Sequence, residues 1–209
     1  MKVLMSQRDD VLDARRFYDD MGSDYDLMIS WRTRLEREAA FLRRVRDEVG
    51  ASSALDAACG TGMHAVSLAR EGLRCAAADL SPEMIARARQ NARDAGVDVD
   101  FRVADVLNGH LGGPYDILFD RGVYHYLRTV DLNGFREFLK RVTRSGSHWL
   151  SLAGNAKEEM EDGPPVVHEH EIRAELEPLF DIVELREYRF TTNNSDFRPL
   201  AWSILMRRR

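Results

Sequence analysis

Two glycines separated by one residue follow a short apolar stretch, and this arrangement constrains the fold more than any other part of the chain. The stretch begins at Leu55, the glycines are Gly60 and Gly62, and a helical pattern runs from Met63 to Arg70. Glycine suits a backbone that a ligand must approach closely. The helix start adds free N–H groups and the positive end of its dipole. A strand, a glycine turn and a helix start together predict a cradle for a nucleotide-like cofactor.

The class of cofactor depends on the residues around this turn. Gly60-x-Gly62-x-x-Ala65 also satisfies the dinucleotide fingerprint G-x-G-x-x-G/A. A second apolar stretch, residues 73–79, reads as a strand that ends at Asp79. A carboxylate at that position can accept hydrogen bonds from both ribose hydroxyls, and it suits either class of cofactor.

Asp56, four residues before the first glycine, separates the two classes. The run Asp56-Ala57-Ala58-Cys59-Gly60-Thr61-Gly62 resembles motif I of the class I S-adenosylmethionine-dependent methyltransferases. Nicotinamide enzymes usually lack an acid at this distance. Many members of the resembled family have glycine where this chain has Ala58, which slightly narrows the turn.

The resemblance implies S-adenosylmethionine as the cofactor and S-adenosylhomocysteine as its product. It implies that Asp79 binds the ribose, that Asp105 contacts the adenine amino group and that the Val106 N–H reaches the adenine ring. Asp56 is open to a second interpretation, in which it holds the glycine turn by accepting backbone N–H bonds. The cofactor-binding residues implied are Asp56, Ala58, Cys59, Gly60, Gly62, Asp79, Leu80, Asp105, Val106 and Tyr25.

The remainder of the chain predicts a single α/β domain over residues 1–209. From Leu55 onward strands and helices alternate, which predicts a parallel sheet with helices on both faces. The last two strands, residues 182–190 and 200–206, are joined too closely for a crossover helix and should pair antiparallel. The expected fold is a Rossmann-like, doubly wound, seven-stranded sheet, mostly parallel with a C-terminal antiparallel hairpin.

Residues 1–50 are expected to form a helical cover, and residues 51–209 the cofactor-binding core. Two helices are predicted, from Asp9 to about Gly22 and over residues 35–49. The aromatic residues between them either cover the edge of the core or form a lid over the ligands. The Phe17-Tyr18…Tyr25-Asp26 arrangement is similar to the N-terminal cover of glycine- and sarcosine-type N-methyltransferases.

The candidate catalytic residues follow the predicted fourth strand, residues 116–120. The segment from Phe119 to Leu127 resembles motif IV, and its Asp-Arg-Gly run is similar to tellurite-resistance and thiopurine S-methyltransferases. Asp120, Tyr124 and His125 are therefore the candidate catalytic residues, with Asp120 or His125 as a base for an acceptor that needs one. Each could instead cap a helix or pack behind the turn. The next helix is predicted to start at Asp131.

Composition narrows the substrates and partners. A net charge of −5 disfavours nonspecific binding to nucleic acids or anionic membranes. The segment after strand four lacks the Asn/Asp-Pro-Pro-Tyr/Phe motif with which methyltransferases hold a flipped base, so nucleic acid is disfavoured as a substrate. Two cysteines, no apolar leader and no membrane-length apolar run lead us to expect a cytoplasmic protein.

Two other features suggest no additional ligand. His168-x-His170 lacks a third ligand at a suitable spacing, so no metal is predicted. The basic run Arg207-Arg208-Arg209 reads as a solvated chain end.

The function expected from all of this is metal-independent methyl transfer to a sulfur, another chalcogen or a nitrogen of a small molecule. The alternatives are an NAD(P)-dependent oxidoreductase and a non-catalytic protein that binds S-adenosylmethionine. The sequence leaves the acceptor and the oligomeric state open.

Overall fold

A computed structural model of the protein describes residues 26, 29–158, 164–191 and 198–209. The described residues form one seven-stranded sheet in the order β3-β2-β1-β4-β5-β7-β6. The strands are β1 (Ser53–Ala57), β2 (Arg74–Asp79), β3 (Val99–Val103), β4 (Tyr115–Arg121), β5 (Thr143–Gly154), β6 (Phe180–Arg189) and β7 (Leu200–Arg208). The helices are α1 (Trp31–Val49), α2 (Met63–Arg70), α3 (Pro82–Ala95), α4 (Tyr124–Val142) and α5 (Glu169–Leu176).

The strand directions confirm the predicted fold class. Strand β1 pairs in parallel with β2 and β4, β2 with β3, and β4 with β5. Strand β7 is antiparallel to both of its neighbours, β5 and β6. The carboxyl ends of β1 to β6 consequently meet at one edge of the sheet, where open α/β sheets bind ligands. We call this side the carboxyl edge.

Alternation along the strands builds one apolar core on each face of the sheet. In β4, Leu118 packs with residues of α4 and α5, whereas Ile117 and Phe119 pack with residues of α1, α2 and α3. Side chains of successive strand residues point to opposite faces, so a buried parallel strand must be apolar throughout. The two cores hold the strand ends in fixed positions at the carboxyl edge.

Helix starts follow the capping residues in the sequence. The Ser81 hydroxyl accepts a hydrogen bond from the Met84 N–H at 3.1 Å, and Pro82 begins α3. Helix α4 begins at Tyr124, seven residues before the predicted start at Asp131. Asp131 is non-helical, and its carboxylate accepts the Gly134 N–H at 2.8 Å, so it caps the second half of a kinked helix.

Three further predictions are corrected or lie outside the described residues. Helix α1 already includes Trp31, which the sequence placed in a connection. The side chains of Arg207 and Arg209 are exposed, as in a solvated chain end, but the first two residues of the run extend β7. The helix expected over residues 9–22 lies outside the described residues. None of the described helices combines the length and apolarity needed to cross a membrane.

Two glycines in left-handed backbone make a matched pair for testing how the turn is packed. Gly62 ends the glycine turn with φ +74°, and a Cβ built there would lie 2.7 Å from Cε1 of Phe101 and 2.8 Å from Cβ of Ala88. Gly50 ends α1 with φ +63°, and a Cβ there would meet nothing within 4 Å. Only Gly62 therefore combines backbone strain with a steric clash.

We predict that Gly62→Ala lowers the free energy of unfolding by roughly 3 kcal/mol, the sum of backbone strain and overpacking. Gly50→Ala should cost roughly 1 kcal/mol, because it adds backbone strain alone. Urea denaturation of both variants measures the difference. Equal losses would show that Phe101 and Ala88 do not limit the turn.

Candidate functional site

Strand β2 holds the glycine turn through two successive residues. The Cys59 N–H donates to the Ala78 carbonyl at 2.9 Å, and the Gly60 N–H donates to Asp79 Oδ2 at 2.8 Å. Asp79 Oδ1 accepts the Ser81 N–H at 3.0 Å. Each carboxylate oxygen has more than one lone pair, so these bonds leave Asp79 able to accept further donors. A ribose diol at the carboxyl edge would meet that chemistry.

Asp56 lies behind the turn and is 3% exposed. Its carboxylate accepts the Ala65 N–H of α2, and its Oδ2 has no hydrogen-bond partner among the described residues. Burial, together with the negative charges of Asp79 and Asp120, raises the pKa of Asp56 to about 8. The hydrogen bond to Ala65 favours the interpretation that Asp56 holds the turn against α2.

Ala58 occupies the position where the resembled family often has glycine. Its φ is +54°, a left-handed conformation that alanine adopts only at a cost, and its side chain is exposed. The backbone therefore keeps the glycine-type shape of the turn despite the additional methyl group. Leu80 is half-buried just after β2.

Asp105 and Val106 follow β3 at the same edge. Asp105 Oδ1 accepts the Leu107 N–H at 2.9 Å, and its Oδ2 accepts the Asn108 side-chain amide at 2.7 Å. The Val106 side chain is buried in the core. These bonds fix the loop after β3 in place, and Asp105 stays half-buried within it.

Asp26 connects the N-terminal segment with the glycine turn. Its Oδ1 accepts the Trp31 indole N–H and the Thr61 hydroxyl, each at 2.7 Å. Its Oδ2 lies 3.8 Å from a guanidinium nitrogen of Arg87 on α3. Tyr25, predicted to bind the cofactor, lies outside the described residues. The contacts of its neighbour Asp26 join that residue, five positions before α1, to the glycine turn.

Asp120 is buried at the end of β4 with both carboxylate oxygens engaged. Oδ1 accepts the N–H groups of Val123 and Tyr124 at 3.2 and 3.1 Å, and Oδ2 accepts the Trp149 indole N–H at 2.7 Å. Burial outweighs the opposite effect of these hydrogen bonds and raises the pKa of Asp120 to about 6. Asp120 thereby ties the start of α4 to β4 and β5. This geometry disfavours a role of Asp120 as a base, and that role stays a prediction.

Tyr124 points away from the carboxyl edge into the apolar core. Its ring packs 5.9 Å from those of Phe135 and Trp149, centroid to centroid. Its hydroxyl donates to Glu175 Oε2 at 2.7 Å, and burial together with Glu175 raises its pKa. Glu175 also binds Arg128, so the hydroxyl belongs to a network between α4 and α5. Among the predicted site residues, Tyr124 contacts Asp120 through its backbone N–H, whereas its hydroxyl is used to bind Glu175.

His125 is buried beside the ends of β4 and β5. Its Nδ1 accepts the Gly154 N–H, so in the neutral ring the proton is on Nε2. Burial lowers the pKa of His125 to about 4, and the positive charge of Arg121 contributes. The ring is consequently neutral at pH 7 and presents a donor, Nε2–H. In this arrangement His125 has no nitrogen free to take a proton.

A buried polar cluster, which the sequence analysis missed, connects α1 with three other elements. We call it the Glu38 cluster; it comprises Glu38, His64, Arg121 and Tyr188. Glu38 Oε2 lies 2.7 Å from His64 Nε2, and Glu38 Oε1 accepts Arg121 Nε at 3.2 Å and the Tyr188 hydroxyl at 3.1 Å. These partners lie on α2, β4 and β6.

The charges within the Glu38 cluster follow from burial and pairing. Burial alone would raise the pKa of Glu38, but the His64 hydrogen bond and the charge of Arg121 outweigh it and lower the pKa to about 2. Burial lowers the pKa of His64, so His64 is neutral at pH 7 and donates Nε2–H to the carboxylate. Glu38 is thus a buried anion, compensated chiefly by Arg121.

The cations around this cluster stack on aromatic rings. The Arg121 guanidinium lies 4.3 Å from the ring centroid of Phe190, and that of Arg34 lies 4.9 Å from Trp31. In sequence, Arg34 and Glu38 resemble ordinary surface residues of a charged helix. One signal could have revealed their burial. Arg34 and Glu38 are four residues apart, on the face of α1 that also buries Leu42.

Metal ligation has no support in the part of the chain that is described. No group of three or more His, Cys, Asp or Glu residues there could hold a metal ion. His168 and His170 stack on each other with ring centroids 5.3 Å apart, at the start of α5.

Comparison with known proteins finds a family model that matches the central part of the chain. Residues 54–146 match the family model described as a methyltransferase domain. The glycine/sarcosine N-methyltransferase of Parasynechococcus marenigrum is 37% identical over 110 residues, which are 52% of this chain and 39% of the relative. The ubiquinone biosynthesis O-methyltransferase of Xanthomonas axonopodis pv. citri is 35% identical over 105 residues, 49% of this chain and 42% of the relative.

The chain therefore spans about two fifths of the length of these curated relatives. Among solved structures, magnesium protoporphyrin IX methyltransferase from Synechocystis PCC 6803 with bound S-adenosylmethionine superposes with a TM-score of 0.67. The superposition covers 100% of both chains at 16% identity, which shows a shared fold.

We predict that Glu38→Gln lowers the free energy of unfolding at pH 7 by roughly 3 kcal/mol, because it leaves Arg121 partly buried without its anion. The folded-state pKa of Glu38 is below its ordinary value of 4.5, so this stabilisation is present above pH 4.5 and is lost as the pH falls toward 2. Urea denaturation at pH 7 and pH 4 measures both effects.

Glu36→Gln is the matched control, two residues away on the same helix. The Glu36 side chain is 64% exposed and pairs with Arg32 at 3.1 Å, an arrangement worth about 0.5 kcal/mol or less. If both variants lose the same stability, the Glu38 cluster does not stabilise the fold.

Proposed function

We propose that this chain is a class I S-adenosylmethionine-dependent methyltransferase that transfers a methyl group to a nitrogen of a small molecule. The observation that carries this proposal is the hydrogen bonding of the side chains at the end of β4 and just after it. Asp120 has both oxygens engaged there, and the Nδ1 of His125 accepts a backbone N–H. An acceptor at this edge must therefore be nucleophilic without a protein base to remove its proton.

The residues of the glycine turn fit the cofactor chemically. Asp79 retains acceptor capacity toward a ribose diol, and Asp105 lies at the end of the neighbouring strand β3. The exposed Ala58 and the start of α2 would border the same ligand. When bound, S-adenosylmethionine supplies an electrophilic methyl group on a sulfonium. The protein's contribution is then to align the acceptor and to exclude water.

The hydrogen bonds of His125 and Asp120 favour some acceptors over others. A hydroxyl would need a base to remove its proton, and neither residue is arranged to take one. A neutral amine carries its lone pair already, and a thiolate carries a full negative charge. The relatives named as N-methyltransferases support nitrogen, whereas the Asp120-Arg121-Gly122 run is the feature that resembles sulfur-methylating enzymes. We give nitrogen precedence because the resemblance to the N-methyltransferase extends over 110 residues, whereas the resemblance to sulfur-methylating enzymes rests on a run of three.

We further propose that residues 1–50 act as the cover of a single domain. The bonds of Asp26 to Trp31 and Thr61 support this role, since they join the segment before α1 to the glycine turn. Both cysteines are free and buried, which agrees with a cytoplasmic location.

The first experiment is calorimetric titration with S-adenosylhomocysteine, and we predict that Asp79→Asn weakens binding by roughly 1–3 kcal/mol. The matched control is Asp100→Asn on β3, because Asp100 is exposed and pairs with Arg102. Its affinity should equal that of the unmodified protein. Binding of NADH in place of S-adenosylhomocysteine would overturn the proposal in favour of an oxidoreductase.

The second experiment compares acceptors in the presence of S-adenosylmethionine. We predict that glycine or sarcosine is methylated, with a rate that rises between pH 7 and pH 9 as the neutral amine becomes more abundant. Mass spectrometry of the acceptor measures this, with small thiols and alcohols assayed in parallel. Turnover with thiols alone would move the proposal to sulfur. Tight cofactor binding without turnover on any of the three classes would indicate a non-catalytic binding protein.

A further inference from the structure

A second candidate site lies at the end of the sheet opposite the carboxyl edge. There a cavity of about 410 Å³ is lined by Ser145, Gly146, Asp181, Arg207, Arg208 and Arg209. Ser145 and Gly146 belong to the first part of β5, Asp181 is near the start of β6, and the arginines end β7. The methyl-transfer site therefore lies at the far ends of the same strands. We call this cavity the arginine cavity.

The arginine cavity contains more positive than negative charge. Its lining has three guanidinium groups and one carboxylate, Asp181. Asp181 Oδ1 accepts Arg209 Nε at 2.8 Å, and its Oδ2 lies 3.4 Å from Arg207 Nη2. One carboxylate thus serves two arginines, whose side chains are 57% and 55% exposed. Exposed pairs of this kind are weak, and both cations stay available to a solvent anion.

Two acids lie near the strands that line the cavity. Asp116 is engaged by Arg144 and by the hydroxyls of Ser52 and Ser53, and the charge of Glu48 acts on His148. His148, opposite Arg207 in the sheet, has a lowered pKa because of burial, and Arg207 contributes to it. The lining therefore keeps a formal excess of two positive charges.

The backbone and neighbouring groups hold the arginines in fixed places. Arg207 and Arg209 are two residues apart along the direction of β7, so their side chains point to the same face of the sheet. Arg207 lies opposite Asp181 in the pairing of β6 with β7. The Arg209 N–H donates to the Leu179 carbonyl at 3.2 Å. Arg208 donates to the same carbonyl at 2.6 Å. Guanidinium groups ordered before a ligand arrives lose less entropy on binding it.

We propose that the arginine cavity binds a small oxyanion of the phosphate type with two or more negative charges. The planar guanidinium donates two parallel hydrogen bonds to such an anion, and two of them would neutralise its charge. Gly146 belongs to the lining, with φ +86° and nothing within 4 Å of where a Cβ would stand, which lets an anion approach the backbone closely. This site is independent of the methyl-transfer reaction.

Calorimetric titration of the full chain with inorganic pyrophosphate at low salt tests the proposal. We expect saturable binding at one site, weakening as NaCl is added. The double variant Arg207→Gln/Arg209→Gln should bind roughly tenfold or more weakly, because it removes two charged hydrogen-bond donors. The amide signals of Gly146 and Arg209 in a ¹H–¹⁵N spectrum should move during the titration.

Arg173→Gln is the control for a general loss of positive charge, because Arg173 lies on α5 between Glu169 and Glu177. Its affinity for pyrophosphate should be unchanged. The midpoint of thermal unfolding checks that the double variant is folded, and Arg209→Gln alone replaces it if it is not. Absence of saturable binding, equal affinity in the arginine variant, or shifts confined to the glycine turn would overturn the proposal.

Discussion

The hydrogen bonds from the glycine turn to the end of β2 are the constraint on which the candidate cofactor site depends. The N–H groups of Cys59 and Gly60 donate to Ala78 and Asp79, so the turn cannot move without the strand. Because β1 and β2 are parallel neighbours, their ends are already side by side when the sheet forms. The site is thus a direct consequence of strand pairing, because the Asp79 carboxylate belongs to β2 and the glycine turn follows β1.

Buried charges fix the elements around the end of β4, as backbone hydrogen bonds fix the glycine turn. Glu38 on α1 binds His64 at the start of α2 and Arg121 at the end of β4. A buried carboxylate is stable only with such partners, and the requirement fixes α1 relative to both elements. Asp120, the residue before Arg121, likewise fixes the start of α4 relative to β4 by accepting the Tyr124 N–H. Carboxylates near the reaction site are therefore largely committed to structure.

The sequence allowed the fold to be predicted in most of its parts, because strand alternation, the Ser81 cap and the closely spaced last strands are local signals. The position of Asp79 beside the glycine turn followed from the same logic. The sequence did not predict the Glu38 cluster, since its members come from four elements and Glu38 looks like a surface residue of a charged helix. Nor could it show that Tyr124 binds Glu175, because that contact depends on how α4 packs against α5.

The position of Trp31 gives the protein an optical reporter. The indole N–H is bound to Asp26, which also accepts the Thr61 hydroxyl, so the emission of this residue is sensitive to the environment of the glycine turn. Trp149 and Trp202 are buried in the core on the opposite face of the sheet, away from that turn. Replacing both by phenylalanine would leave Trp31 as the single tryptophan, beside the turn. Stopped-flow fluorescence could then follow the cover and the turn directly, with no label attached.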